Sequence, residues 1–67
     1  MQVIINGKQT MLTDVETVEH LIKHLDLSGR IAIEINQQIV PRTEYPTHPL
    51  VEGDVIEIVH AIGGGTN

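Results

Sequence analysis

Within the first twelve positions, an apolar run at 3–5 and an apolar pair at 11–12, separated by polar residues and a glycine, predict a β-hairpin. Strand-like sequence runs from Met1 to Asn6 and again from Lys8 to Leu12. Asn6-Gly7 stands between the two runs, and this dipeptide supplies the two positive φ angles of a type I′ turn. The chain is therefore expected to begin with two antiparallel strands joined by a tight turn.

After the hairpin the apolar spacing changes to that of a helix. Positions i, i+3, i+4 and i+7 of this segment are apolar, namely Val18, Leu21, Ile22 and Leu25. One helix face is thus expected to pack on the sheet. Thr17 precedes the helix as a candidate N-cap, and Gly29 is the candidate for the left-handed residue that ends it.

Three further strands are predicted after the helix. They are Ile31 to Ile35, a short edge strand at Ile39-Val40 closed by Pro41, and Val55 to His60. Alternation in the two long strands assigns inward positions to Ile31, Ile33, Ile35, Ile56 and Ile58, and outward positions to Ala32, Glu34, Val55, Glu57 and Val59.

The order of these elements predicts an α+β fold, a mixed five-stranded sheet with one main helix packed on one face. A right-handed crossover through the helix is expected to place the strand at 31–35 parallel to a neighbouring strand. With 67 residues the chain has room for one domain, and with no cysteine it has no disulfide to support that domain.

Charge lowers the expectation for two classes of partner. Four Lys+Arg residues stand against nine Asp+Glu residues, which gives a formal charge of −5. This charge repels phosphate backbones and anionic lipids, so neither nucleic-acid nor membrane binding is expected. No apolar run approaches the roughly 20 residues that span a bilayer, and a cytoplasmic location is the resulting expectation.

Candidate catalytic and metal-binding residues are few. The chain lacks cysteine, its single serine is Ser28, and no two carboxylates are placed by the pattern in a shared apolar site, so enzyme activity is not expected. His20 and His24 have the i, i+4 spacing of two metal ligands on a helix, but no third ligand accompanies them. We therefore predict solvent-facing histidines and no metal site.

The glycine triplet at 63–65 is the most informative feature of the sequence. A phosphate-binding glycine loop needs a helix after it, but only Thr66 and Asn67 follow. Glycines make a thin, flexible segment that can enter a narrow channel of another enzyme and present a carboxylate there. A disordered tail without function is the alternative. Either way, residues 1–62 are predicted to form the domain and residues 63–67 a flexible tail.

The outward sheet face is a candidate docking surface. An apolar patch with an acidic rim is expected there, with the patch at Ile4, Ala32, Val55 and Val59 and the rim at Glu34, Asp54 and Glu57. Outward Val and Ile are also ordinary strand formers, so this pattern alone leaves both interpretations open.

Two segments resemble the ThiS family of sulfur carriers in thiamine thiazole biosynthesis, which has the ubiquitin-like β-grasp fold. They are Ile35 to Arg42, with sequence INQQIVPR, and Val59 to Gly65, with sequence VHAIGGG. Tyr45 and the turn Glu52-Gly53-Asp54 also match, and the resemblance covers residues 1–65.

The resemblance implies a carrier cycle in which partner enzymes supply the chemistry. A ThiF-like adenylyltransferase uses ATP and magnesium to adenylate the terminal glycine carboxylate. A sulfurtransferase step converts the acyl adenylate into a thiocarboxylate, and a ThiG-like thiazole synthase takes the sulfur. The carrier itself is expected to bind no cofactor.

The resemblance also implies roles for residues of the last strand and the tail. Gly65 is expected to carry the adenylate and then the thiocarboxylate, with Gly63 and Gly64 forming the tail before it. Five residues before the glycines are expected to bind the partner. Ala61 and Ile62 are expected at the mouth of its channel, and the other three are expected to contact its surface: Glu57, Val59 and His60.

The sequence departs from the family after Gly65, because Thr66 and Asn67 follow it. We expect these two residues to be removed so that Gly65 becomes terminal. Two alternatives remain at this stage. One is a sulfur carrier for molybdopterin synthesis, and the other is a non-covalent β-grasp interaction module whose tail has no function.

Overall fold

A computed structural model describes residues 1–60 of the chain, and the last seven residues lie outside the described part. The described part has five strands, one α-helix and one short 3₁₀ helix, at Arg42–Glu44. The strands are β1 (Gln2–Ile5), β2 (Lys8–Met11), β3 (Ile31–Ile35), β4 (Gln38–Ile39) and β5 (Val55–His60), and the helix is α1 (Val18–His24).

The five strands form one mixed sheet in the order β2-β1-β5-β3-β4. Strands β1 and β5 are parallel, and the other neighbours are antiparallel. The predicted fold class, a five-stranded mixed sheet with one main helix, is confirmed. The prediction that β3 lies parallel to a neighbour is wrong, because β5 inserts between β1 and β3 and both neighbours of β3 run against it.

Helix α1 contributes its apolar stripe to a core on one face of the sheet. Val18, Leu21, Ile33 and Ile56 are completely buried there. Ile22 and Leu25 are partly buried at the edge of the same cluster. Burying a side chain of this size stabilises the fold by about 1.5–3 kcal/mol relative to leaving it exposed. The helix is seven residues long, so this packing rather than intrinsic propensity holds it.

The start of α1 is capped by side chain and backbone together. Thr17 is extended, with φ −127°, and its Oγ1 accepts from His20 N at 3.2 Å, as predicted for an N-cap. Val18 N donates to the carbonyl of His48 at 3.0 Å, and Glu19 N donates to that of Tyr45 at 2.9 Å. The irregular crossing before β5 thus uses its backbone to satisfy the helix.

The end of α1 differs from the prediction that Gly29 supplies the left-handed residue. Asp26 does so, with φ 56°. Its N–H donates to Lys23 O at 3.1 Å, and Leu27 N donates to Ile22 O at 3.0 Å, which is the hydrogen-bond pattern of a Schellman cap. Aspartate tolerates the left-handed region because its short polar side chain bonds locally, so the helix ends before Gly29 is reached.

Strand β4 begins one residue before the predicted Ile39-Val40 pair. Gln38 pairs with Ile35, and Ile39 pairs with Glu34. Val40 turns its side chain into the core, although its N–H still donates to Ile33 O at 2.9 Å. As predicted from Pro41, β4 is an edge strand.

Candidate functional site: the open sheet face and the last strand

Strand β5 is the central strand of the sheet and the one that leads to the glycine triplet. It pairs with β1 on one side and with β3 on the other. Glu57, Val59 and His60, three of the predicted contact residues, lie on it and are exposed. The other predicted site residues lie outside the described residues, and their roles stay predictions: Ala61, Ile62, Gly63, Gly64 and Gly65.

Two asparagines from two hairpin turns hold β5, one on each side. Asn6 Nδ2 donates to Ile58 O at 3.2 Å, and Ile58 N donates to Asn6 Oδ1 at 2.7 Å. On the β3 side, Val55 N donates to Asn36 Oδ1 at 3.0 Å, and Asn36 N donates to Val55 O at 2.8 Å. Each side-chain amide thus completes hydrogen bonding that a strand would otherwise supply.

Both asparagines have positive φ, 49° for Asn6 and 52° for Asn36, and each is the first residue of a two-residue turn. Asparagine tolerates this conformation better than most residues. The Asn6-Gly7 turn was predictable from the dipeptide. The second role of each asparagine, on β5, was missed, because it depends on which strand lies beside the turn.

Asp54 is a buried carboxylate, and the prediction that it belongs to an acidic rim is wrong. It is 5% exposed. Its Oδ1 accepts from Asn36 Nδ2 at 3.0 Å, and its Oδ2 accepts from Val51 N at 2.9 Å. The carboxylate closes the turn before β5 and fixes the Asn36 amide, so it contributes to the position of β5 rather than to the surface.

The sheet face opposite α1 carries the residues that the alternation assigns outward. Strand register places Ile4 beside Val55, Ala32 beside Val59, and Glu34 between Glu57 and Ile39. We call this surface the open face and define it by seven residues: Ile4, Ala32, Glu34, Ile39, Val55, Glu57 and Val59.

Large apolar side chains on the open face are accessible to solvent. The exposed fractions are 39% for Val55, 59% for Val59 and 71% for Ile39. The predicted outward orientation of the β5 residues is confirmed, and Ile39 extends the patch beyond the residues predicted. Its place on the open face follows from the register, because Ile39 pairs with the outward Glu34 while the next residue, Val40, is buried in the core.

The helix histidines are placed as predicted, and no metal-binding group forms around them within residues 1–60. His20 and His24 are both exposed. His20 Nδ1 accepts from Glu16 N at 3.4 Å. No set of three or more His, Cys, Asp or Glu side chains that could hold a metal is present in this part of the chain. Within the same residues there is no pocket, and α1 is too short and polar to cross a bilayer.

Comparison with known proteins places these features in one family. The ThiS family model matches residues 3–65. The sulfur carrier protein ThiS of Escherichia coli (strain K12) is 36% identical over 66 residues, which are 97% of this chain and 100% of that protein. ThiS of Bacillus subtilis (strain 168) is 38% identical over 63 residues, 91% of this chain and 96% of that protein.

A solved structure and a longer relative extend this likeness. The crystal structure of the thiamine biosynthesis protein ThiS from Geobacter metallireducens has a TM-score of 0.84 at 25% identity, over 97% of this chain and 100% of that one. A thiazole synthase of Paramagnetospirillum magneticum is 38% identical over 100% of this chain, but the chain spans only 21% of that protein. The chain belongs to the ThiS family of sulfur carrier proteins with the ubiquitin-like β-grasp fold.

Proposed function

We propose that this chain is the sulfur carrier for the thiazole of thiamine. The observation that carries the proposal is the family match, because it extends through residue 65 and so includes the glycine triplet as well as the folded domain. Two relatives of the same length class are sulfur carrier proteins, and one longer relative is a thiazole synthase.

In the proposed cycle, the carboxylate of Gly65 attacks the α-phosphate of ATP and releases pyrophosphate. A ThiF-like adenylyltransferase binds the ATP and magnesium and catalyses this step, in which the carrier is the substrate. A sulfide-equivalent nucleophile from a sulfurtransferase then displaces AMP and leaves a thiocarboxylate. A ThiG-like thiazole synthase accepts the sulfur, an oxygen atom from water or from the acceptor substrate takes its place, and the carrier returns as a carboxylate. The chain is thus a substrate of its partners rather than an enzyme.

The proposed cycle requires a free carboxylate at Gly65. Thr66 follows Gly65 in the sequence, so the peptide bond between them must be hydrolysed first. We propose that this removal precedes adenylation, because a side chain after the glycines is expected to obstruct a channel that accepts glycine alone. Gly65→Ala should for the same reason impair adenylation more than docking.

The geometry of β5 suits a carrier. Its two sides are fixed by Asn6 and Asn36, so the open face and the end of β5 at His60 keep one relative position. A partner that binds Glu57, Val59 and His60 therefore receives the tail from a defined point. The cytoplasmic location stays a prediction.

The test is the intact mass of the protein isolated from its own cells, at a resolution that distinguishes one oxygen from one sulfur. We expect a species ending at Gly65, with a fraction in which one oxygen is replaced by sulfur. If every molecule extends past Gly65 and none carries sulfur, even under thiamine starvation, the carrier function is refuted.

A non-covalent interaction module is the second candidate, and the exposed apolar residues of the open face favour it. Deleting residues 63–67 separates the two functions. A carrier loses all sulfur transfer, whereas a docking module keeps its affinity for the partner. A carrier for molybdopterin synthesis is distinguished by which synthase accepts the thiocarboxylate.

A further inference from the structure

Two glutamates lie directly opposite each other at the centre of the open face. Glu34 of β3 and Glu57 of β5 are antiparallel register partners. Partners of this kind have Cβ atoms about 4.5–5.5 Å apart, and like charges at such positions destabilise a sheet. The pair is therefore unfavourable for the fold taken alone.

Within residues 1–60, neither glutamate of this pair forms an ion pair. The one ion pair among the described residues joins Lys23 Nζ to Glu19 Oε2 at 3.6 Å, and it lies on α1, across the sheet from the open face. Neither glutamate takes part in a side-chain hydrogen bond within the described chain, in contrast to Asp54, whose two oxygens both accept.

The surroundings of the pair are apolar. Val55 and Val59 flank Glu57 along β5, and Ile39 lies beside Glu34 on β4. Removing these side chains from water on docking lowers the local dielectric and strengthens any ion pair enclosed with them. A cationic group set among apolar atoms is the complementary surface.

We propose that Glu34 and Glu57 together bind one arginine side chain of the thiazole synthase, and that Val55, Val59 and Ile39 pack around it. The proposal rests on the proposed function, since it names the partner of the same carrier. Arginine fits better than lysine because its planar guanidinium presents five donors in a fixed fork that can bridge two carboxylates. A second copy of this chain docked open face to open face does not fit, because it would bring the same two carboxylates opposite the first pair.

The position of the pair limits where that arginine lies. Eight residues lead from Glu57 to Gly65. A fully extended chain of this length spans at most about 29 Å. The guanidinium must therefore lie within that distance, plus the reach of the Glu57 side chain, of the centre that receives Gly65, on a surface of the synthase that faces the carrier.

The experiment is calorimetric titration of the full-length chain into the thiazole synthase of the same organism, at low and at physiological salt. The test variant is Glu34→Gln/Glu57→Gln, which removes two charges and keeps the shape. The matched control is Glu16→Gln/Glu44→Gln, which removes two charges from exposed glutamates that are outside the open face. We expect the test variant to bind about tenfold or more weakly, with a shallower salt dependence, and the control to change by less than about twofold.

A thermal melt of the same variants gives a second readout. Because the carboxylates repel each other, the test variant should melt higher than the unmodified chain while it binds less well. A pair with a purely structural role would not give that combination. Equal dissociation constants for test and control variants overturn the proposal.

Failure of the docking proposal is distinguishable from failure of the carrier function. Absence of any binding between the unmodified chain and the synthase also overturns the arginine assignment. If the cellular protein still carries a thiocarboxylate in that case, the carrier function stands and the docking surface is wrong. If the thiocarboxylate is missing as well, the carrier function itself fails.

Discussion

Replacing Asn6 tests whether a turn side chain holds the strand that leads to the tail. Asn6→Gly keeps the backbone conformation, since glycine adopts a φ of 49° without strain, but removes both hydrogen bonds to Ile58. Each bond contributes about 0.5–1.5 kcal/mol net, so the free energy of unfolding should fall by about 1–3 kcal/mol. Asn6→Ala should cost about 1–2 kcal/mol more, because alanine resists the left-handed region.

Urea unfolding measures these differences, and an unchanged m-value would show that the unfolded reference is the same. In a domain of this size, about 1 kcal/mol corresponds to a Tm change of about 4–8 °C. Hydrogen exchange locates the effect, because the Ile58 amide should lose protection while the Val55 amide keeps most of its own.

The matched control is Asn36→Gly, in the other two-residue turn. It should reverse the pattern, with protection lost at Val55, whose N–H donates to Asn36 Oδ1 at 3.0 Å. The reasoning is refuted if Asn6→Gly leaves the unfolding free energy within about 0.3 kcal/mol of the original and the Ile58 amide equally protected.

Three further substitutions test other parts of the fold by chemical denaturation. Ile33→Ala should lower the unfolding free energy by about 2–5 kcal/mol, because Ile33 is completely buried under α1; a loss below 1 kcal/mol would contradict that placement. Thr17→Ala should cost about 1 kcal/mol by removing the acceptor of His20 N, and Thr17→Ser should restore most of it. Asp54→Ala should cost about 3 kcal/mol, since it leaves Val51 N and Asn36 Nδ2 without their acceptor, and a neutral result would rule out this network.

Local sequence signals predicted the individual strands and the helix. They could not predict the order of the strands in the sheet, because that order depends on pairing between residues far apart in the sequence. The Asn6-Gly7 turn, the Thr17 cap and the inward isoleucines of β3 each follow from neighbouring residues. The partners of β5 do not, because no short-range pattern states that the last strand lies between the first and the third. The wrong parallel neighbour for β3 has this origin.

The burial of a charged residue was the second feature that the sequence did not predict. Asp54 stands in a Glu-Gly-Asp turn, and this composition is typical of a solvent-exposed turn. Its carboxylate nevertheless accepts hydrogen bonds from Asn36 and Val51 in the interior. Aspartate at a turn predicts a local hydrogen bond, and the bond to Val51 is of this kind. The contact with Asn36 requires the two turns to meet in space, and only the fold supplies that. Of the site residues, Glu57 and Val59 could be placed from alternation along β5, whereas alternation puts His60 on the side of Ile56 and Ile58 although it is exposed.

The central position of β5 has a consequence for the order in which the molecule is made. The hairpins β1–β2 and β3–β4 each form from residues close in sequence, but they share no ladder with each other. The sheet closes only when β5, the last of its five strands in chain order, enters between them, a non-local step that is slow compared with hairpin formation. An unfinished chain thus lacks both the joined sheet and the glycines that follow β5. We expect partners that recognise the open face to engage only carriers in which β5 has joined the two hairpins into one sheet.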